Sequence, residues 1–425
     1  MKKAALLAAG ESTRMLPLSA YRPKHLLPVA GKPMIFHILE ALRNAGITEV
    51  LIIHGYHAED LQQAVDVEEW GTLTVHYALQ KERKGTAHAA GHAKEFAGDD
   101  DILLMNGDIL VGPDAFSGLI RRHRSSNAEV TLSVYPIENP SAYGIVAVKD
   151  GMAVELIEKP SSDQLVSNLV NAGIYAVGRG LFDAIEETGL SKRGEYEITD
   201  SLRMLIEQGK VASYTISSWW TDIGKPWDLL DANKMLLEGE EKRISGTVEE
   251  GAVVKGNVVI EAGAIVRSGA YIEGPVFIGH NATIGPNCYL RPYSCLLEGV
   301  KVGNACEVKN SIIMERSSIG HLSYVGDSII GQDVNFGAGT ITANLRHDNK
   351  AVNVTVKGQR VSSGHRKLGA IIGDNVKTGI GTLLSTGVIL HQGAKTGPGV
   401  IVTKNIGPNK LVLAKQSQEE IDYSV

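Results

Sequence analysis

Up to about residue 235 the chain alternates short apolar runs with stretches of helical period. AALLAA, EVLIIHG, TVHYALQ and DILLMNGD are near-continuous apolar runs of strand length. PMIFHILEALRNAG, AEDLQQAV, TAHAAGHAKEFA and DAFSGLIRRHRSS instead repeat apolar residues three and four apart, as one helix face requires. That alternation predicts a Rossmann-like α/β domain, a mostly parallel sheet with helices on both faces. Such sheets bind ligands beyond the carboxyl ends of their strands. GIVAVKDGMAVELIEKP, VNAGIYAVG and ASYTISSWW read as further strands of that sheet. KPWDLLDANKMLLEGEEKR reads as a closing helix and linker.

From about residue 246 the period becomes six. Val254, Ile260, Val266, Ile272, Ile278, Ile284, Leu290, Leu296, Val302 and Val308 follow one another at that spacing, and all are Ile, Leu or Val. Small or β-branched residues such as Ala264, Ala270 and Ala282 lie four positions beyond. Fixed hexads predict a left-handed parallel β-helix, in which each coil covers its neighbour's core. The phase slips by one residue near Ile313. It resumes at Ile372, Thr378, Leu384, Leu390, Thr396 and Val402. Residues 340 to 370 break the period and predict a loop leaving the solenoid. The expected domains are 1–235 and 236–425.

Composition narrows the function classes. A net charge of −6 on 425 residues excludes a broad nucleic-acid-binding face. No apolar run is long enough for a membrane span. MKKAALLAAG reads as a first buried strand, because the run stops at Gly10 without a cleavage site. Cys288, Cys295 and Cys306 form an odd set within one segment. They fit buried thiols in a reducing compartment, so a cytoplasmic location is expected.

The string LAAGESTRMLPLSAYRPKHLLPV directly follows the first strand. Its bend at Gly10 offers backbone N–H groups to a phosphate, and Arg14 and Lys24 add two cations. The string resembles the nucleotidylyltransferases that activate sugar 1-phosphates, whose signature is G-x-G-T-R…P-K. Glu11-Ser12 departs from it, placing a β-carbon where the family usually has glycine. The resemblance extends over about residues 1 to 235 and implies a set of roles. Arg14 and Lys24 would be catalytic cations. Ala8, Ala9, Gly10, Thr13, Gln80, Gly85 and Thr86 would contact the nucleotide. Gly144, Glu158, Lys159 and Asn171 would hold the sugar phosphate. Asp108 and Asp222 would bind Mg²⁺, whose hard charge suits carboxylates. Asp222 has a plainer reading as a cap for the helix beginning near Lys225-Pro226. His54, His57, His88 and His92 sit on separate segments and read as ordinary surface histidines, not a metal cluster.

In the solenoid, Arg291 and Lys309 are 18 residues apart, one coil of three hexads. Stacked roughly 4.7–4.9 Å apart, two cations repel unless an anion lies between them. A phosphate is the natural candidate, and Glu273, one coil earlier, is the alternative neutraliser. IGHLSYVGD and GAGTITANLRHDNK, together with LRP at Arg291 and EVK at Lys309, resemble the acetyltransferase domain of bifunctional sugar-1-phosphate enzymes. The segment NLRHDNKAVNVTVKGQRVSSGHRKLGA resembles an extended loop of the archaeal type. The resemblance implies that His321 is the general base, a role suited to imidazole. Tyr324 and Asn344 would orient substrate or stabilise the oxyanion, and Arg291, Lys309 and Lys350 would grip the sugar phosphate. Leu345 departs from the tyrosine of bacterial enzymes. No residue is assigned to acetyl-CoA.

The combined resemblance implies acetylation of glucosamine 1-phosphate or galactosamine 1-phosphate by acetyl-CoA. Uridylyl transfer from UTP to the product would follow. UTP in place of dTTP rests on the C-terminal resemblance. A homotrimer is implied as well. The alternative is a monofunctional glucose-1-phosphate thymidylyltransferase or related NDP-sugar pyrophosphorylase whose β-helix is structural or regulatory. A non-enzymatic scaffold ranks last, because Asp108 and Arg14 are retained.

Overall fold

The computed structural model describes residues 1–421. Its contacts fall into two units. The first comprises Met1–Ser12, Tyr21–Leu27 and Pro33–Ile223; the second takes Thr13–Ala20, Pro28–Lys32 and the chain from Gly224 onward.

The first unit is built on strands β1 (Lys3–Ala8), β2 (Glu49–His54), β3 (Thr74–Leu79), β4 (Ile102–Asn106), β5 (Ile109–Val111), β6 (Val130–Pro136), β7 (Gly144–Lys149), β8 (Met152–Glu158), β9 (Leu169–Val177), β10 (Val211–Thr215) and β11 (Trp220–Asp222). Nine of them form one sheet in the order β3-β2-β1-β4-β9-β6-β10-β8-β7. The β1, β2, β3 and β4 pairings are parallel. Beyond β4 the sheet is mixed: β9 runs antiparallel to β4 and β6, and β10 returns parallel to β6. The parallel half reads as continuous apolar runs because helices cover both its faces. Helices α1 (Met34–Asn44), α2 (Ala58–Asp66), α3 (Thr86–Gly91), α4 (Lys94–Ala97), α5 (Ala115–Arg124), α6 (Arg179–Glu187) and α7 (Ile198–Glu207) complete the unit. The single helix expected over TAHAAGHAKEFA is interrupted at His92-Ala93. Alanines 87, 89 and 90 of α3 share a core with Leu104, Leu181 and Leu202, so small side chains let that helix approach closely. Strands β5 and β11 form a separate two-stranded ribbon.

The second unit is a parallel β-helix with three strand faces. Ile260, Val266, Ile272, Ile278, Ile284, Leu290, Leu296, Val302 and Val308 all point into its core. Coils repeat at 18 residues as far as the Glu307 level, where Tyr289 opposes Glu307. The next coils are one residue shorter, with Cys295 opposite Ile312 and Ile312 opposite Ile329. The inward set continues through Ile313, Ile319, Val325, Ile330 and Phe336. Residues 343–370 leave the solenoid and carry a hairpin, Asn353–Val356 with Gln359–Ser362. The coil resumes where Ile330 opposes Ile372.

The three faces share their inward pattern and differ outward. On the first, Val259, Cys295, Ile312, Ile329, Ile371 and Ile389 are outward and still buried. Residues 28–32 and helix α8 (Asp228–Glu238) account for part of that cover. A β-carbon at Gly31, φ +94°, would lie 2.3 Å from the Phe277 ring. The buried Asn233 of α8 accepts from Ala30 N at 2.9 Å and donates to the Tyr293 carbonyl at 2.9 Å. All three cysteines are free and buried, and burial pushes the thiols of Cys288 and Cys295 up to about 12. Among the described residues no helix is long and apolar enough to cross a membrane.

Candidate functional sites

In the first unit β1 delivers the buried Ala8 and Ala9 to an exposed Gly10 with open space around it. Ser12 adopts φ +55°. The backbone therefore keeps the left-handed conformation that glycine favours, despite the side chain. Thr13 and Arg14 begin a 3-10 turn, Thr13–Met15, that belongs to the second unit, and Arg14 is exposed.

Lys24 opens a second 3-10 turn, and its Nζ donates to Asp108 Oδ2. The two side chains are 12% and 19% exposed, so this is a partly desolvated pair. Burial pushes the Asp108 carboxyl up, and the Lys24 ammonium more than cancels that, leaving it below the ordinary range. His25 beside them is buried, and burial pushes its imidazole down to about 3, so it is neutral. Asp108 follows β4, and its carbonyl accepts from Ile223 N at 2.9 Å. Asp222 opposes Ile109, the residue after Asp108, in the β5–β11 ribbon. Strand pairing therefore brings the two aspartates to neighbouring positions. The helix that follows, Asp228–Glu238, has Trp227 at its N-cap and no side-chain cap; Asp228 Oδ2 instead ties down the turn before it, accepting from Gly224 N at 3.0 Å and Lys225 N at 2.7 Å.

Gln80 follows β3 and is buried. The Gly85-Thr86 segment is strapped to the chain entering α7. Tyr196 N donates to the Lys84 carbonyl at 2.7 Å, Ala87 N to the Tyr196 carbonyl at 2.9 Å, and Ile198 N to Thr86 Oγ1 at 2.9 Å. Gly85 has φ +113°, and a β-carbon there would lie 2.3 Å from the Tyr196 carbonyl oxygen. The four histidines are not alike. His54 is buried, against expectation, because it ends a central strand. His57 contacts Asp60 at 2.6 Å, His88 contacts Gln80 at 2.8 Å, and the His92 ring meets His88 edge-on. Among the described residues no three His, Cys, Asp or Glu side chains gather as a metal site.

Gly144 and Glu158 oppose each other in the β7–β8 pair, and a β-carbon at Gly144 would lie 2.8 Å from Glu158 Oε2. Asn171 donates to the Tyr175 hydroxyl at 2.9 Å and accepts from Gly173 N at 3.1 Å, which fixes its amide. Lys159 is exposed with φ +47°. Arg193, which sequence spacing does not single out, reaches Glu158 at 3.5 Å and Glu197 at 3.1 Å.

In the second unit Arg291 and Lys309 each contact a carboxylate. Arg291 donates to Glu307 at 2.9 Å, and Lys309 pairs with Asp327 at 3.2 Å. The carboxylate paired with Arg291 is Glu307, while Glu273 accepts from the Tyr289 hydroxyl. Asp327 is the centre of the site and is almost wholly buried. It also accepts from Asn310 Nδ2 at 2.8 Å and Asn344 Nδ2 at 2.5 Å. Asn344 donates as well to the Tyr324 hydroxyl at 3.0 Å. Burial and then the Asp327 carboxylate raise the Tyr324 phenol, keeping it protonated. Asp327 is missed by hexad reading because it occupies a corner, φ +50°, not a face.

His321 ends a strand, Ser318–His321, opposite Asn304, and its side chain is exposed. Its carbonyl accepts from Ser323 Oγ at 2.7 Å. The following residues, Leu322 to Tyr324, line an open groove of about 560 Å³ with Tyr289, Glu307 and Ile341. Lys350 is exposed on the loop and makes no contact with the Asp327 cluster among the described residues.

Residues 3–239 match the nucleotidyl transferase family model, and residues 272–391 match a model described as the GMPPB C-terminal domain. A bifunctional protein GlmU of Methanococcus vannielii is 41% identical over 97% of this chain and 97% of its own. A bifunctional sugar-1-phosphate nucleotidylyltransferase/acetyltransferase of Sulfurisphaera tokodaii is 40% identical over 95% of this chain and 98% of its own. The crystal structure of a putative glucose-1-phosphate thymidylyltransferase from Bacillus anthracis is 28% identical. It covers 55% of this chain and 94% of its own, with a TM-score of 0.50. With strand-end carboxylates in one unit, a polar cluster on the other's solenoid, and full-length relatives that span both, the chain belongs to the bifunctional sugar-1-phosphate nucleotidylyltransferase/acetyltransferase family.

Proposed function

We propose that the second unit acetylates glucosamine 1-phosphate or galactosamine 1-phosphate and the first unit then joins the product to uridylate from UTP. The observation that carries this reading is the Lys309–Asp327–Asn344–Tyr324 cluster beside the His321 corner. Its buried carboxylate holds one lysine and two asparagine side chains in place, the fixed polar geometry that an acceptor site needs.

In acetyl transfer the sugar's amine nitrogen attacks the thioester carbonyl carbon, His321 takes the amine proton, and the carbon–sulfur bond breaks to release CoA thiolate. Asn344, with both amide hydrogens committed, presents its oxygen to the acceptor. Arg291 and Lys309 supply positive charge for the sugar phosphate, and Lys350 adds to it if the loop folds over substrate. In uridylyl transfer a phosphate oxygen of the sugar attacks the α-phosphorus of UTP, and pyrophosphate leaves. Gly144, Glu158, Lys159 and Asn171 position the sugar. Ala8, Ala9, Gly10 and Thr13 bracket the phosphates, and Gln80, Gly85 and Thr86 meet the base. Lys24, with Arg14 on the same stretch of sequence, offsets anionic repulsion. Asp108 and Asp222 fit Mg²⁺, two hard donors from paired strands, and the ion would neutralise phosphate charge there.

The cytoplasmic homotrimer belongs to the same reading. Exposed Ile341, Leu383 and Ile401 follow one another on the third solenoid face, an apolar row that neighbouring subunits would cover. Thiol release from acetyl-CoA with glucosamine 1-phosphate or galactosamine 1-phosphate tests the assignment. Release by the wild type that disappears in His321→Ala is the expected result. No release with either acceptor returns the β-helix to an assembly or regulatory role.

A further inference from the structure

Gln80 and His88 share a hydrogen bond whose direction can be worked out. Gln80 Nε2 lies 3.5 Å from the Gly85 carbonyl oxygen and 2.8 Å from His88 Nδ1. A carbonyl oxygen only accepts, so the amide atom facing Gly85 is the nitrogen. An amide nitrogen only donates, so His88 Nδ1 carries no proton. Both hydrogens of the Gln80 amide are thereby committed inside the protein. Its oxygen accepts no hydrogen bond among the described residues and is the one polar atom left to meet a ligand. The His88 ring proton then sits on Nε2, and the ring borders a cavity of about 370 Å³ shared with His92 and Tyr196. Burial, then the neighbouring His92 and Lys84 charges, lower the imidazole's affinity for a second proton.

We infer that His88 is a specificity-determining positioning residue: by accepting from Gln80 it fixes that amide as a hydrogen-bond acceptor. The edge so presented recognises a base that offers a ring N–H, as uracil and thymine do, and opposes cytosine, whose ring nitrogen at that edge accepts. A flipped amide would reverse the preference. It would also set two acceptors face to face at Gly85, so His88 and Gly85 hold the orientation jointly. The inference rests on Gln80 being the base contact.

The test measures uridylyl and cytidylyl transfer to N-acetylglucosamine 1-phosphate by the full-length enzyme and its His88→Leu, His88→Asn and Gln80→Leu variants. His88→Leu is expected to raise KM for UTP about tenfold and lower the UTP-over-CTP preference by a similar factor, as for one misdirected buried hydrogen bond. Its kcat should stay within about twofold, because the lost interaction is not made in the transition state alone. Asparagine places an amide oxygen near the Nδ1 position, so His88→Asn should recover most of the preference. Unchanged preference in His88→Leu, with preference lost in Gln80→Leu, overturns the role of His88 and leaves the base contact standing. Unchanged preference in both removes Gln80 from the base site altogether. Equal losses for both nucleotides, not recovered by asparagine, would make His88 merely structural.

Discussion

Lys24–Asp108 and Lys309–Asp327 are both partly desolvated lysine–aspartate pairs, one in each unit, and the two folds assemble them by different means. The first pair joins residues 84 apart in the chain. Asp108 follows β4, and Lys24 lies on the loop after β1, the strand paired with β4, so the sheet gathers polar residues that the sequence keeps distant. The second joins residues 18 apart, on adjacent coils. There the repeat itself supplies proximity, and the local departure from the repeat supplies chemistry. Gly326 opposes Lys309 in register, and Asp327 is the next residue, turned into the corner.

The comparison sharpens if each site fails alone. His321→Ala is expected to lower acetyl transfer by about 10²–10⁴-fold while uridylyl transfer from preformed N-acetylated substrate is unchanged. Separate assays of the two steps check this. Asp108→Asn should lower uridylyl transfer by about 10²–10³-fold and spare thiol release; full uridylyl transfer in that variant would remove the metal assignment. Asp327→Asn is expected to cost acetyl transfer about tenfold, because Asn344 loses its charged acceptor and Lys309 its counter-ion. Wild-type kcat/KM for the amino-sugar phosphate in that variant would make the carboxylate a bystander.

The smallest effect lies at His365, outside the hydrogen-bonded cluster but within reach of the Asp327 charge. His365 contacts Asp231 at 3.3 Å, and that hydrogen bond raises the imidazole above its ordinary 6.5. A raised folded value means the stabilisation is complete below 6.5 and fades as pH climbs through the raised value. Both groups are partly exposed, so the contribution is slight. The Tm difference between wild type and His365→Gln should therefore shrink with rising pH. A constant difference would show that the pair does not titrate there.

How much the sequence disclosed follows from the same contrast. The hexads were legible because most solenoid sides bury one aliphatic residue, and a register slip at Ile313 is visible as a missed count. The mixed half of the sheet was not, since the burial that makes β9 apolar says nothing about its direction. Asp222 has two readings in the sequence, and only strand pairing shows that it lies opposite Ile109, next to Asp108. Asp327 and Arg193 escape because their importance lies in what they touch, which no spacing encodes. The stacking of Arg291 and Lys309 was legible, but the carboxylates that partner them belong to other columns.

The shortened coils also say how such a chain can change length. Removing one residue between Leu296 and Ile313 is tolerated because the corner absorbs it and every later inward position moves with it. The twenty-eight residues from 343 to 370 are tolerated for a different reason: they depart and return at one corner, with Ile330 still opposite Ile372. A lone insertion within a strand has neither escape, because it would turn aliphatic and polar columns inside out. Descendants of this sequence are thus free to grow by loops or by whole coils without disturbing the stack beneath.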